Sequence, residues 1–386
     1  MNVDVVVCGR GVPGPGAPLL GIFELDQALA LHHAGLSVVY AGLDVRSVRR
    51  WRRWGVQHDE VDGMPVAVMS FPLGRLPRSA NRVLMSRLWD LLLGAVEARH
   101  GRPRLLHGHF LPWTSALAGT RAAQRSPLVV TEHWSRLRGD IAEDVRALGR
   151  QVFPRAAAVI AVSQPLADTI RSEFGVIAQV VPDIIDVDTF GAVADAEREP
   201  GVRLVATANL IGRKNLDGLV RAFADAAPDD ATLTVIVQGP DLRDLEVLAV
   251  ELEVAERVRF TGRLRREEMA EEYAAASGFA LASHAETFGV VWAEALAAGL
   301  PVLATRCGGP EDFVGPENGV LVDDDPDAIA EGLRELCDGI TAGRWKPAEL
   351  AAQMAGRFSG VAVVEQLRSV YASIREGGRG TQDLQP

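Results

Sequence analysis

The chain has 386 residues, 48% of them hydrophobic, which suits two ordinary domain cores and excludes a disordered chain. Its formal net charge of -11 excludes a generic nucleic-acid binder. That charge is split: residues 1–180 hold 21 Arg, no Lys and 15 Asp plus Glu, a net +6, and the remainder carries -17, as two domains with different surfaces would.

Residues 3–8 read as a first buried strand. Gly9-Arg-Gly-Val-Pro-Gly14 then matches Gly-x-Gly-x-x-Gly in form. A dinucleotide site needs the last glycine to open a helix at once. Here Pro13, Pro15 and Pro18 keep the chain extended, and a helix is predicted only over 22–33. The stretch therefore reads as a flexible Gly/Pro loop between domains rather than a nicotinamide or flavin fingerprint, although Asp44, after a strand at 37–41, would imitate the ribose acid of such a fold. Residues 46–54 combine five arginines with two tryptophans. They predict an amphipathic helix with Val48 and Trp51 inward; the competing reading is contact with an anionic membrane surface or an acidic acceptor. Arg75, Arg78, Arg82 and Arg87 follow on the next segments.

Strands predicted at 105–109 and 127–131 end in His107, His109, Glu132 and His133, and polar residues at strand C-termini are where an open parallel sheet places its ligands. His107 reads as structural. A strand at 156–163 and a helix complete the first domain, and residues 180–190 read as a connector, with the boundary near Asp183. In the second domain a strand at 203–207 leads to Arg213 and Lys214 and a helix to about 226. Cations at a helix start oppose the helix dipole, so they point to a bound diphosphate. Strands at 233–237, ending in Gln238-Gly239, and at 257–264, ending in Leu264, follow.

Residues 278–304 read as strand, loop, helix, strand. The loop carries His284 and Glu286, Gly289 permits a close backbone approach, the helix spans 290–298, and Gly299 and Pro301 stop it. The N–H groups near Phe288, Gly289 and Val290 favour a phosphate. Glu294, deeper in the helix, suits sugar hydroxyls. Phosphates on the helix end and one Glu on each sugar describe a nucleotide diphosphate sugar.

The stretch from Glu286-Thr-Phe-Gly through Glu294-Ala-Leu-Ala-Ala-Gly-Leu-Pro-Val-Leu-Ala-Thr to Cys307-Gly-Gly closely resembles the Glu-x7-Glu motif of the retaining glycosyltransferases of family 4. The resemblance implies α/β architecture of the GT-B type: two facing Rossmann-like domains with the active site in the interdomain cleft. It implies an acceptor-binding domain at 1–182, a nucleotide-sugar-binding domain at 183–358 and a helix at 359–376 crossing back to the first domain; residues 377–386 read as a disordered tail. The residues it carries over as catalytic are His133, Lys214, Arg213 and Glu286. For the donor it implies Gly21, Asn209, Arg213, Lys214, Gln238, Gly239, Leu264, Glu286, Thr287, Phe288, Gly289, Val290 and Glu294. Asn209 stands where the family has an arginine, which Arg213 would replace, and Asp183-Ile184 stands where the family commonly has Asn-Gly. For the acceptor it implies His109, Trp113 and Glu132.

The expected reaction moves a sugar from a nucleotide-diphosphate sugar, a UDP-sugar by preference, to a hydroxyl of a glycan, lipid carrier or small natural product, with no metal and no cofactor. A sugar-nucleotide epimerase or hydrolase, or a non-catalytic sensor, are the alternatives. No apolar run approaches about 18 residues, the N-terminus lacks a signal-peptide pattern, and Cys8, Cys307 and Cys337 suggest neither a zinc site nor a disulfide framework. A cytoplasmic location follows, with peripheral membrane contact through the Arg-rich N-terminal domain as a further expectation.

Overall fold

A computed structural model describes residues 3–14, 17, 19–47, 49, 52–73, 78–238 and 242–380, with backbone alone at 78, 79, 238 and 375–380. The chain divides into two compact units, Met1–Ile184 with Val363–Pro386, and Ile185–Ala362.

The first unit runs β1 (Val3–Gly9), α1 (Ile22–His33), β2 (Val38–Asp44), β3 (Gly55–Val61), β4 (Met64–Ser70), α2 (Arg78–His100), β5 (Pro103–His109), α3 (Leu111–Leu117), β6 (Leu128–Glu132), α4 (Glu143–Val152), β7 (Ala158–Ala161), α5 (Gln164–Phe174) and β8 (Gln179–Val180). Its sheet has the order β3-β4-β2-β1-β5-β6-β7-β8. All pairs are parallel except β3 with β4. Strands covered on both faces are largely apolar, which is why β1 from Val5 to Cys8 and β2 from Val38 to Leu43 read as hydrophobic runs. Val5, Val7 and Tyr40 pack with Leu25, Ala28 and Leu31 of α1 in one core. The chain leaves β1 for β2 on one side and later reaches β5 on the other, so β1/β5 is a switch point where strand order reverses.

The second unit runs α6 (Val187–Gly191), β9 (Arg203–Asn209), α7 (Leu216–Ala226), β10 (Thr232–Gln238), α8 (Leu242–Glu251), β11 (Val258–Phe260), α9 (Arg266–Ala275), β12 (Gly278–Leu281), α10 (Val290–Ala297), β13 (Val302–Thr305), β14 (Gly319–Val322), α11 (Pro326–Thr341) and α12 (Pro347–Phe358). Its parallel sheet has the order β11-β10-β9-β12-β13-β14, with its own switch point at β9/β12. The last helix, α13 (Gly360–Gly380), returns to the first unit, where Val363, Val364, Leu367, Val370 and Tyr371 join the core of Val5, Leu25 and Val181. It extends through 377–380, where the sequence predicts a tail; 381–386 lie outside the described residues.

Two features differ from the sequence reading. The β3–β4 hairpin is absent from that reading, yet its signal is Asp62-Gly63, both with positive φ, 47° and 80°, as a tight two-residue hairpin turn requires. The helix predicted over 46–54 is absent among the described residues; Val48, Arg50 and Trp51 lie outside them. Instead Arg46 Nη2 lies 2.7 Å and Arg52 Nε 2.9 Å from the carboxylate of Asp44, which ends β2. Arg52 also donates to the carbonyls of Arg46 and Phe71 at 2.7 and 3.2 Å. A carboxylate 3% exposed needs paired cations, and satisfying it bends the following chain around Asp44. Burial pushes the Asp44 carboxyl up, but Arg46 and Arg52 outweigh it and hold it below the usual range. Asp44 is thereby committed to its arginines and is not a free ribose acid. As the sequence indicates, α1 starts eight residues after Gly14, so Gly9–Gly14 does not form a dinucleotide fingerprint. No described helix is long and apolar enough to cross a membrane.

Candidate functional site

Two polar clusters occupy the C-terminal ends of the sheets at their switch points. In the second unit β9 ends at Asn209 and its partner β12 at Leu281, so the loops that leave them are neighbours. Gly212–Lys214 forms a single tight helical turn, and Asn215, at φ 48°, then starts α7. Arg213 and Lys214 therefore precede the helix. The Arg213 carbonyl accepts from the His284 N–H at 2.8 Å, and Arg213 Nη1 donates to the Ala285 carbonyl at 2.9 Å. Lys214 Nζ donates directly to Glu286 Oε1, and Arg213 Nη1 lies 3.5 Å from Glu286 Oε2. Glu286 is buried and Lys214 half-buried.

The backbone of this loop is fixed from below. The Glu286 N–H donates to Cys307 O at 2.8 Å, and the Gly309 N–H to Glu286 O at 3.1 Å. The Phe288 ring packs on Phe313 and Phe358. Gly289 has φ 96°, and a Cβ there would meet Pro310 Cγ at 2.8 Å, so only glycine fits. α10 begins at Val290, and its first N–H groups have no intrahelical acceptor. Glu294, one turn in, is buried; burial and then the Glu294 charge push the Tyr273 hydroxyl pKa well up. The Tyr273 hydroxyl donates to Thr207 Oγ1 on β9 at 3.0 Å. The structure thus gathers Arg213, Lys214, Glu286, Thr287, Phe288, Gly289, Val290 and Glu294. Asn209 is exposed at the end of β9, and Leu264 is half-buried beyond β11, two strands away. Gln238 ends β10 with its side chain undescribed, and Gly239 lies outside the described residues.

The first unit's cluster is buried. His109 ends β5, Glu132 ends β6 and His133 follows it. His133 Nδ1 lies 2.8 Å from Asp183 Oδ1, and its Nε2 lies 2.9 Å from His109 Nδ1. His107 bonds Tyr371 Oη at 2.7 Å and Thr131 Oγ1 at 2.6 Å, so both its ring nitrogens are engaged within the unit. His107 stacks on His109 and His109 on His133, with ring centres 4.5 and 5.2 Å apart. Phe110 and Phe23 stack on His133 as well. Arg10 Nε bonds Glu24 at 2.8 Å, and its guanidinium lies over the Phe110 ring. Gly21 caps α1 at φ 72°; a Cβ there would come 2.3 Å from the Gly11 carbonyl, which accepts a hydrogen bond from Tyr40. Trp113 is half-buried, and its indole N–H donates to Leu43 O at 3.2 Å.

Burial sets most of the protonation states here. It lowers His107 to about 3 and His109 well below the usual imidazole range. It raises Glu132 to about 7, against the pull of His133 and the Leu111 and Trp134 N–H groups. His133 is the exception: burial disfavours its charge, but Asp183, Glu24 and Glu132 outweigh burial and raise it. Arg10, Glu24, Asp183 and Tyr371 were not among the sequence-derived site residues. No local motif marks Arg10, Glu24 or Tyr371, and Asp183 reads from sequence as part of a connector.

Residues 26–189 match the family model described as Glycosyltransferase Family 4, and residues 195–348 the model described as Glycosyl transferases group 1. The chain is 31% identical over 374 residues to a D-inositol 3-phosphate glycosyltransferase of Xylanimonas cellulosilytica, covering 84% of this chain and 89% of that protein. It is 30% identical over 268 residues, 64% of each chain, to a GDP-mannose-dependent alpha-(1-6)-phosphatidylinositol monomannoside mannosyltransferase of Mycolicibacterium smegmatis. Among solved structures, sucrose-phosphate synthase from Thermosynechococcus elongatus superposes with a TM-score of 0.75 at 19% identity, over 98% of this chain and 100% of that one. Anabaena HepE in complex with UDP gives 0.71 at 17% identity, over 97% and 100%.

Proposed function

The chain belongs to the group 1 glycosyltransferases, the retaining enzymes of family 4 with the GT-B fold, and on that premise we propose its reaction and the role of each site residue. A sugar passes from a UDP-sugar to a hydroxyl of a glycan, a lipid or a small natural product. The observation that carries this reading is the Lys214–Glu286 ion pair, flanked by Arg213, at the β9/β12 switch point.

The leaving diphosphate needs its charge met more than it needs an acid. Lys214, Arg213 and the positive start of α10 supply that, preorganised before substrate arrives. The reading therefore assigns no step to a metal. A donor that engages Lys214 takes it from Glu286, and the freed carboxylate then accepts hydrogen bonds from the donated sugar. Glu294 holds the ribose. Gly289 lets the diphosphate approach the backbone with no Cβ in the way. The departing phosphate oxygen takes the acceptor's proton on the face it leaves, which preserves the anomeric configuration. In the first unit His133 serves the donor sugar, and His109, Glu132 and Trp113 serve the acceptor. Trp113 does so through its ring, since its N–H is already bonded to Leu43 O.

HepE is described in complex with UDP and the Mycolicibacterium relative as GDP-mannose-dependent, so both bases belong in the test. Thermal-shift measurements with UDP- and GDP-sugars, and with NAD and FAD, give the donor. Binding at 100 times the dissociation constant adds roughly 2.7 kcal/mol. A shift with one sugar nucleotide, followed by NMR detection of a retained glycoside with an acceptor, is the expected result. Consumption of donor with no acceptor-dependent product identifies a hydrolase or epimerase instead, and binding without turnover a sensor.

A further inference from the structure

We propose that Asp183 is a positioning residue for the transfer: it clamps His133 through Nδ1, favours its protonated form, and through the His133–His109 hydrogen bond decides which His109 nitrogen carries the proton. The catalytic half of this rests on the glycosyltransferase reading above; the protonation half does not.

An ionised carboxylate only accepts hydrogen bonds, so at 2.8 Å from Asp183 the His133 Nδ1 is the donor. His133 Nε2, 2.9 Å from His109 Nδ1, then has two options. If His133 is charged, Nε2–H donates, His109 Nδ1 accepts, and neutral His109 carries its proton on Nε2. If His133 is neutral, its Nε2 accepts from His109 Nδ1–H, and His109 Nε2 is left as a bare acceptor. His109 Nε2 is buried and has no hydrogen-bond partner among the described residues, so its polarity is the output of the pair.

Every neighbouring element bears on which state holds. Asp183 after β8, Glu24 on α1 and Glu132 on β6 favour the charge. Burial of the ring opposes it, and His107 and His109 on β5, kept neutral by their own burial, add no charge. Arg10, from the loop after β1, is bonded to Glu24. His107, pinned by Tyr371 and Thr131, holds the far face of His109, so the relay cannot relax by turning that ring. Asp183 lies 2.8 Å from His133, which is 7% exposed, so water does little to screen the pair. Without Asp183, burial would neutralise His133 and reverse the hydrogen bond.

Two measurements on the full chain test this. Ring-nitrogen NMR of His133, assigned with His133→Gln, should show both nitrogens protonated at pH 7. In Asp183→Asn, which keeps a hydrogen-bond acceptor and removes the charge, the His133 titration should fall by about 1 unit or more. The alkaline limb of the kcat/KM profile should move down by the same amount, with Asp183→Glu restoring part of it. A neutral His133 at pH 7 in the wild-type chain overturns the proposal without any variant having to fold. So does an Asp183→Asn limb that stays where the wild-type limb lies. The NMR arm reads the folded chain whether or not it transfers sugar, so its failure is distinguishable from failure of the functional reading.

Discussion

The switch point of the second unit keeps its charges on long side chains within reach of water: Lys214 and Arg213 side chains are 12% and 37% exposed, and both meet Glu286. The switch point of the first unit puts Glu24, His107, His109 and Glu132 at 0% exposure, with Glu24 bonded to Arg10, His107 to Tyr371 and Thr131, and His109 to His133, which meets Asp183. A half-open ion pair exchanges partners at small cost, because each ion passes from one counter-charge to another. A buried network cannot do so; changing one member leaves another unsatisfied. The same α/β topology thus provides one end built to hand a cation to an arriving anion and another built to hold protons in fixed places.

The largest expected effect breaks the first half of that comparison. Lys214→Ala removes the cation that meets the diphosphate as it leaves, and loss of one such preorganised contact costs about 10²- to 10³-fold in kcat. Glu286 keeps Arg213 at 3.5 Å, so the loop retains one ion pair and the fold should survive. Steady-state kinetics with saturating donor check this. A variant that turns over at near the wild-type rate, with only donor affinity reduced, would place Lys214 in ground-state binding instead.

The two ends also differ in how far the sequence reveals them. Residues 284–294 are contiguous, and their chemistry follows from local rules: a glycine at positive φ, a helix start, two carboxylates with seven residues between them. α1 is predicted and found at Ile22–His33, and α7 ends at Ala226 as its periodicity indicates. The histidine cluster is assembled from residues 10 to 371, with His107 and its Tyr371 partner 264 positions apart, and no local pattern announces such a contact. The segment after β2 misleads for a different reason. Its arginines and tryptophans fit a helical face, but a buried carboxylate immediately before them, Asp44, offers Arg46 and Arg52 a stronger alternative. The β3–β4 hairpin was legible in Asp62-Gly63 and the alternation around it.

Glu132 tests the second half of the comparison. In the folded chain it titrates near 7, and in the unfolded chain near 4.5. Between those values the folded state binds more protons than the unfolded state, so its contribution to stability falls as pH rises from 4.5 to 7 and is flat above. Glu132→Gln mimics the neutral carboxyl and should remove this loss. Its stability relative to wild type should grow across that window by on the order of 3 kcal/mol, read from urea unfolding at pH 4.5, 5.5, 6.5 and 7.5. Parallel curves for the two proteins would show that Glu132 titrates alike in the folded and unfolded chains, and that the cluster is more open than its burial implies.

The smallest effect separates the two carboxylates of the second unit. Glu286 has ion partners on the adjoining β9 loop, whereas Glu294 is buried one turn into α10, with Tyr273 sensing its charge. If Glu294 accepts hydrogen bonds from the ribose, Glu294→Ala loses charged contacts made equally in ground and transition states. Such contacts contribute about 1.5–3 kcal/mol, so donor affinity should fall at least about 10-fold while kcat stays close to wild type. Glu294→Gln, which keeps an acceptor of the same shape, should recover part of that loss. Calorimetric titration of the nucleotide diphosphate alone gives a second check, since the ribose is present without the donated sugar: the loss should persist there in Glu294→Ala and be much smaller in Glu286→Gln. Equal losses for both variants with the diphosphate alone would put both carboxylates on the nucleotide and leave the donated sugar to the first unit.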